Sequence, residues 1–282
     1  MISAYWLQYF LVLILGVLLV VASLIFCWMI FVIWLRFRNR EEVSMNFVLL
    51  EIAVPRDNEI KVEAVEQMFS SLYSLKKSGF WQKFAAQQHL SLEVVGKKED
   101  IRFYISCHKN NVELIEKMIV GTYPGTQVVQ VDEYNVFYKD AKIEFSELTL
   151  KNESFKPLKS FKEMPVDFLS SLTSALAKFG DDEAAIIQII ISPAESLWSK
   201  SGLGYISKLK KDESDPEKAK YKMNPQDMEA ISAKCNKQGF LTSIRLVSIS
   251  PNKETAKANI SNLKGVFSQF NGNQNSFSGG KI

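Results

Sequence analysis

Cysteine and histidine are scarce in this sequence of 282 residues: Cys27, Cys107 and Cys235, with His89 and His108. Three cysteines exclude a disulfide scaffold and a four-cysteine zinc site. With so few ligands and bases, most metal-centre and nucleophile–histidine chemistries lack the residues they require. Net charge is also small. Lys+Arg 34 against Asp+Glu 31 leaves +3, too even for an acidic tail or for bulk nucleic-acid binding. None of those charged residues falls between Met1 and Leu35.

Phosphate-cradling motifs are missing too. A P-loop needs GxxxxGK[ST], so that backbone amides and a lysine surround the phosphates. Gly279-Gly280-Lys281 is followed by Ile282 instead. Gly202-Leu203-Gly204 lacks the third glycine of a dinucleotide fingerprint, and Gly121 to Gly125 contains Pro124 and reads as a helix stop. Asp181-Asp182-Glu183 reads as a solvated turn rather than a cation site. His89 and His108 stand alone at a strand start and a strand end, and Cys107 falls on an alternating apolar face that implies burial. Lys208, Lys210, Lys211, Lys218, Lys220 and Lys222 are interrupted by Asp212, Glu213, Asp215 and Glu217, which makes a solvated linker a better reading than a phosphate-binding patch. No catalytic, cofactor-binding or metal-binding residue is assigned, and no cofactor is expected.

What is present is a long apolar run, YWLQYFLVLILGVLLVVASLIFCWMIFVIWL, from Tyr5 to Leu35. A bilayer core of ~30 Å needs ~20 apolar residues in a helix. One crossing fits, and a single glycine, Gly16, does not make a hairpin. Trp6 and Trp34 suit the two interfacial belts. A cleaved signal peptide would carry its basic residues before the apolar run; here Arg36, Arg38 and Arg40 follow it. The positive-inside rule then puts the arginines in the cytoplasm and the amino terminus outside, in a single-pass protein of the cell membrane. Cytoplasmic residence also accords with the lack of cysteine pairs.

After this anchor (residues 1–40), hydrophobic periodicity predicts a first α+β domain over 41–140. Strands fall at Asn46–Val54, Leu90–Val95, Ile101–Cys107 and Thr126–Val131, and helices at Lys61–Lys77 and from an Asn111 cap onward. The order β-α-β-β-α-β is that of a ferredoxin-like unit. The same order is traced again over 141–270. It has a strand at Ile143–Leu150, a helix opened by Pro165, strands at Ala184–Ile191 and Phe240–Ile249, and a helix at Glu254–Phe270. An insertion at 194–239 opens with an apolar turn (Leu197 to Ile206) and closes with a helix after Pro225. Residues 271–282, rich in Asn, Gly, Gln and Ser, read as a flexible tail. The fold class expected is therefore α+β, with two ferredoxin-like units each placing its helices on one sheet face. The closing strand of the second shrinks to about three residues around Phe277. Such an edge would be completed by a continuing chain or by a partner. Trp198 and Phe277 are the candidate partner contacts.

The segments LLEIAVPRDNEIKVEAVEQMFSSL, LSLEVVGKKEDIRFYISC, VELIEKMIVGTYPGTQVVQVDEY, PVDFLSSLTSALAKFGDDEAAIIQIIISP and GFLTSIRLVSIS follow the membrane run. Together, over essentially Met1 to Phe277, they resemble the amino-terminal membrane-anchored region of bacterial ATPases of the type IV secretion and conjugation kind, of the HerA/FtsK class. The resemblance implies the fold, the membrane location and a link to a secretion or DNA-transfer machine. In that family the ATP-binding residues lie in a motor domain beyond the region matched, so no catalytic residue carries over. The expected function is a non-catalytic module that positions or assembles a cytoplasmic motor. The alternative is a stand-alone membrane scaffold or receptor. Expected partners are the membrane and proteins such as a motor or secretion-machine subunits. Self-association is also open, and direct nucleic-acid binding is not expected.

Overall fold

The computed structural model of the chain describes residues 2–37, 45–55, 60–76, 88–213 and 224–280. Its first element, α1 (Ile2–Phe37), is one unbroken helix of 36 residues that continues through Gly16. At 1.5 Å per residue such a helix is ~54 Å long. Within it Tyr9–Leu35, 27 residues of mean hydropathy 3.2, is long and apolar enough to cross a membrane, and none of it is buried inside the molecule. This helix and the α/β body are separate compact units.

The body is built on one antiparallel sheet of eight strands: β1 (Phe47–Ala53), β2 (Leu90–Lys97), β3 (Asp100–His108), β4 (Gln127–Val131), β5 (Lys142–Leu150), β6 (Ala184–Pro193), β7 (Phe240–Ser250) and β8 (Phe277–Gly280). Between them run α2 (Glu63–Leu72), α3 (Val112–Thr122), α4 (Phe168–Leu176), α5 (Leu197–Glu213), α6 (Pro225–Cys235) and α7 (Lys253–Phe267). The spatial order is β4-β1-β3-β2-β6-β7-β5-β8. A sheet for each half, as the sequence reading has it, gives way to a shared one. β2 pairs with β6 from Leu90↔Ile191 to Lys97↔Ala184, across the expected boundary near Asp140. β6 is apolar almost throughout, whereas β2 mixes Leu90, Leu92, Val94 and Val95 with Ser91, Glu93 and Lys97. Left as edges, the two strands would expose unpaired backbone N–H and C=O groups, and their pairing satisfies these.

Alternation sets the two faces. On one, Leu50, Ile105, Cys107, Leu90 and Ile191 pack with Leu72 of α2 and with Ile115 and Ile119 of α3. Beside them Leu148, Ala185, Ile187 and Leu246 pack with Leu172 and Leu176 of α4 and with Ile260, Leu263 and Phe267 of α7. Truncating a fully buried leucine such as Leu246 to alanine costs about 2–5 kcal/mol in such a core. On the other face Val95, Tyr104, Ala184, Ile186 and Ile249 are covered by Tyr134 and Val136 of the segment joining β4 to β5. That segment ends at Asp140, whose φ of 68° is left-handed.

Several local readings change. Asn111 makes no side-chain cap for α3; its amide donates to Gln88 Oε1 at 3.2 Å. Helix α4 starts at Phe168 rather than after Pro165, because Asp167 Oδ2 accepts the Ser170 N–H at 2.7 Å and caps it. The apolar turn expected from Leu197 to Ile206 is the first part of α5. Ile206 joins Phe155, Ile231 and Cys235 in a small core of its own. The linker lysines Lys218, Lys220 and Lys222 lie outside the described residues.

The stretch read as a flexible tail is held in place as far as Gly280. Asn275 is 2% exposed. Its Oδ1 accepts the Asn152 N–H at 3.0 Å, and its amide donates to the carbonyls of Glu153 (3.2 Å) and Lys156 (3.0 Å). An asparagine has both a donor and an acceptor end, and here both are used. β8 then pairs with the second half of β5, from Leu150↔Phe277 to Glu147↔Gly280.

Candidate functional site

β5 is longer than its outer neighbour. β7 lines it from Lys142 to Leu148, whereas β8 reaches only from Glu147 to Leu150. Among the described residues, Lys142–Ser146 therefore has no strand on its outer side. Beside this half-edge lies a groove of about 690 Å³ lined by Glu144, Phe145, Ser146, Lys253, Lys257, Ile260, Ser261, Lys264 and Gly280. Helix α7 positions the lysines: Lys253, Lys257 and Lys264 recur at spacings that share one helix face. The apolar side of α7, with Ile260 and Leu263, holds it on the sheet.

The groove is basic. Lys253 Nζ is 3.9 Å from Glu144, and Lys257 Nζ is 3.2 Å from Glu254 on its own helix. Lys264 lies over β8, so close that a side chain at Gly279 would meet its Nζ at 2.7 Å. On the opposite sheet face Ile143 and Phe145 are about half exposed, at 49% and 50%. The site thus combines a stretch of β5 that has no outer strand among the described residues with a cationic wall on one side and an apolar surface on the other.

A second polar cluster lies inside the body. Glu93, 5% exposed, accepts from the Tyr134 hydroxyl at 2.5 Å and from the Gln188 amide at 2.8 Å. Burial, then the hydrogen bond to Glu93, raises the Tyr134 phenol well above its ordinary pKa. The Tyr104 ring stands 5.2 Å from that of Tyr134. These contacts pin the β4–β5 segment to the sheet.

The residues singled out in the sequence are placed as follows. Trp6 and Trp34 are exposed on α1, at 72% and 50%, with the Trp34 ring 6.0 Å from Phe31. Arg36 falls within α1, while Arg38 and Arg40 lie outside the described residues. Trp198 packs on the small core of Phe155, Ile206, Ile231 and Cys235. Phe277 is half-buried, its ring 6.2 Å from those of both Phe267 and Phe270. Both candidate partner contacts are thus engaged within the chain. His89 and His108 flank Phe47, with ring centroids at 4.8 and 6.1 Å. Gly202 and Gly204 are helical. Asp181 pairs with Lys98 at 2.5 Å, and Glu183 accepts from Gly180 N–H and Asn259, so the acidic turn is tied into the fold. Among the described residues no group of three His, Cys, Asp or Glu side chains converges. The sequence reading expected an edge left open by a closing strand shortened to about three residues around Phe277, and β8 has four beside the nine of β5; what it did not place is the row of α7 lysines next to that edge.

No curated protein matches the chain. Among solved structures, the crystal structure of aclacinomycin oxidoreductase is similar at 9% identity and a TM-score of 0.35, over 79% of this chain. The chain spans 41% of that protein's length, a likeness too loose to define a shared fold. Residues 39–277 match a family described as "Domain of unknown function (DUF8128)", and the chain belongs to that family.

Proposed function

We propose that the chain is a non-catalytic, membrane-anchored module that positions or assembles a protein partner beside the bilayer. The observation that carries this reading is the apolar span Tyr9–Leu35, joined in one chain to a folded α/β body. A charged side chain at the bilayer centre is costly, and a 27-residue stretch without one suits lipid better than water. The resemblance to membrane-anchored regions of secretion and conjugation ATPases makes a cytoplasmic motor the partner of choice. In this reading Arg36, Arg38 and Arg40 hold the body on the cytoplasmic side.

The body is then two ferredoxin-like units fused through β2 and β6. The orders β4-β1-β3-β2 and β6-β7-β5-β8 support that description, since each is one strand arrangement read in opposite senses. Such a fusion presents a wide, stiff platform, which suits docking. The test is membrane fractionation with alkaline carbonate extraction, followed by crosslinking in intact cells. The full chain should stay with the membrane pellet and crosslink to a protein partner, and a chain lacking residues 2–37 should be released. Release of the full chain by carbonate would overturn the reading.

A further inference from the structure

Strand β4 ends the sheet on the side away from β8, and among the described residues no strand lies outside it. It sits within the body, between α3 and the segment that leads on to β5. Its five residues, QVVQV, carry no charge and no proline, and they pair with β1 without a bulge from Leu49↔Val131 to Ala53↔Gln127. Natural sheets blunt an edge with charge, proline or a bulge, and β4 has none of these. Val129 is 54% exposed, and Gln127 and Gln130 are exposed beside it.

The groups that β4 turns outward follow from the ladder. Lys151 N–H donates to the Ser276 carbonyl at 2.9 Å, and bonding positions in an antiparallel pair recur every second residue. The odd positions of β5 therefore point toward β8. Their side chains lie on the sheet face away from the helices, since Leu148 packs on the helix side. β4 runs in the same direction as β5, six antiparallel steps across the sheet. For L-residues on strands of one direction, side chains on one face fix the hand to which N–H and C=O point. Val131 packs on the face away from the helices, and Val129 shares it. Both thus point inward to β1, and Val128 and Gln130 turn their N–H and C=O outward.

We propose that β4 pairs with β4 of a second copy of this chain, antiparallel about a two-fold axis at Val129, so that the two sheets continue as one. A two-fold contact sets one patch against itself. Read against its own reverse, the strand puts Val129 opposite Val129, Val128 opposite Gln130, and Gln127 opposite Val131. Val128 and Gln130 are both outward bonding positions, so this register satisfies the N–H and C=O of each. One step further Thr126 meets Asp132 of the second copy, and no charge faces its like. The exposed Val129 side chains cover one another at the axis. The dimer goes beyond the docking reading, and it is scored by a contact that needs neither a further protein nor a particular topology.

The experiment uses the full chain in isolated membranes, with Cys27→Ala, and single cysteines at 128, 129 or 130 under mild oxidation. Positions opposite each other without hydrogen bonds have Cα atoms ~4.5 Å apart, within the ~4.4–6.8 Å that a disulfide spans. Val129→Cys should therefore form linked dimers at least tenfold faster than Val128→Cys or Gln130→Cys alone. A mixture of Val128→Cys and Gln130→Cys copies should link as mixed pairs. Gln130→Pro removes an outward N–H and leaves the β1 ladder whole; added to Val129→Cys, it should slow linking at least tenfold with an unchanged circular dichroism spectrum. Equal rates at the three positions would overturn the proposal. So would linking that Gln130→Pro does not slow, or capture by Val129→Cys of a different protein in place of a second copy.

Discussion

The indole of Trp198 sits so close to Gly239 that any side chain at 239 would overlap its ring. Gly239 sits at the neck of the insertion, where its carbonyl accepts the Ala194 N–H at 2.9 Å. The tryptophan therefore closes the insertion onto the strand ends. Overpacking of this kind costs about 1–3 kcal/mol, and Gly239→Ala is expected to lower stability by that much. Gly204 gives the opposite sign. It lies in α5 with nothing within 4 Å of an added Cβ, and Gly→Ala inside a helix gains about 1 kcal/mol. Denaturant titration of the two variants checks both signs.

Asn275 is expected to govern order at the end of the chain. Its amide nitrogen faces the carbonyls of Glu153 and Lys156. Asn275→Asp replaces that donor with an acceptor and sets oxygen against oxygen. Leaving buried groups unsatisfied costs about 1–3 kcal/mol. The variant should lose amide-exchange protection in β8 first, while β2 and β6 keep theirs. Unchanged protection at residues 277–280 would contradict the role given to Asn275.

Tyr134 makes stability fall in alkali. Its folded-state pKa is raised above the ordinary 10.0 by burial and by its bond to Glu93. A group raised in this way stabilises fully below its unfolded pKa, and the contribution is lost as pH rises above it. The stability of the wild type should therefore drop more steeply between pH 10 and 11 than that of Tyr134→Phe. Below pH 9 the variant should be the less stable by about 1–3 kcal/mol, since Glu93 loses a donor in a buried site. Cys107 titrates in the same direction, pushed up to about 11 by burial, but it is common to both proteins and cancels.

The same burial shields the Cys107 thiol. It is 0% exposed, and a raised pKa leaves little thiolate at neutral pH. A maleimide reagent should modify Cys107 only as fast as the sheet opens, and mild denaturant should accelerate the reaction. Rapid labelling of Cys107 in the native chain would contradict its place in the core.

Much of this architecture is legible in the sequence, because burial writes itself as periodicity. The uncharged run before Arg36 reads as one long helix, and the alternation of Ile101, Phe103, Ile105 and Cys107 reads as a strand with a core face. Pairing between strands is less visible. Alternation says which face of β2 and β6 is buried, not that Leu92 stands opposite Ile189. Glycines misled the reading of α5, where Gly202 is small so that Cys235 and Phe155 can approach. The tail misled it as well, since Asn275 counts as a loop former until its four backbone partners are seen. The Glu93–Tyr134 contact joins residues 41 apart and leaves no local pattern. The basic groove is equally hidden, because its lysines sit on a helix that reads simply as amphipathic.

The central claim, a body held on the cytoplasmic side of a membrane by α1, is tested most directly by accessibility in intact cells. A single cysteine is introduced at Lys97 or at Lys257, with Cys107 and Cys235 buried and Cys27 replaced by alanine. A membrane-impermeant maleimide is then applied before and after permeabilisation. The account predicts no labelling of either position in intact cells and full labelling once the membrane is opened. Labelling of either one in intact cells would contradict it.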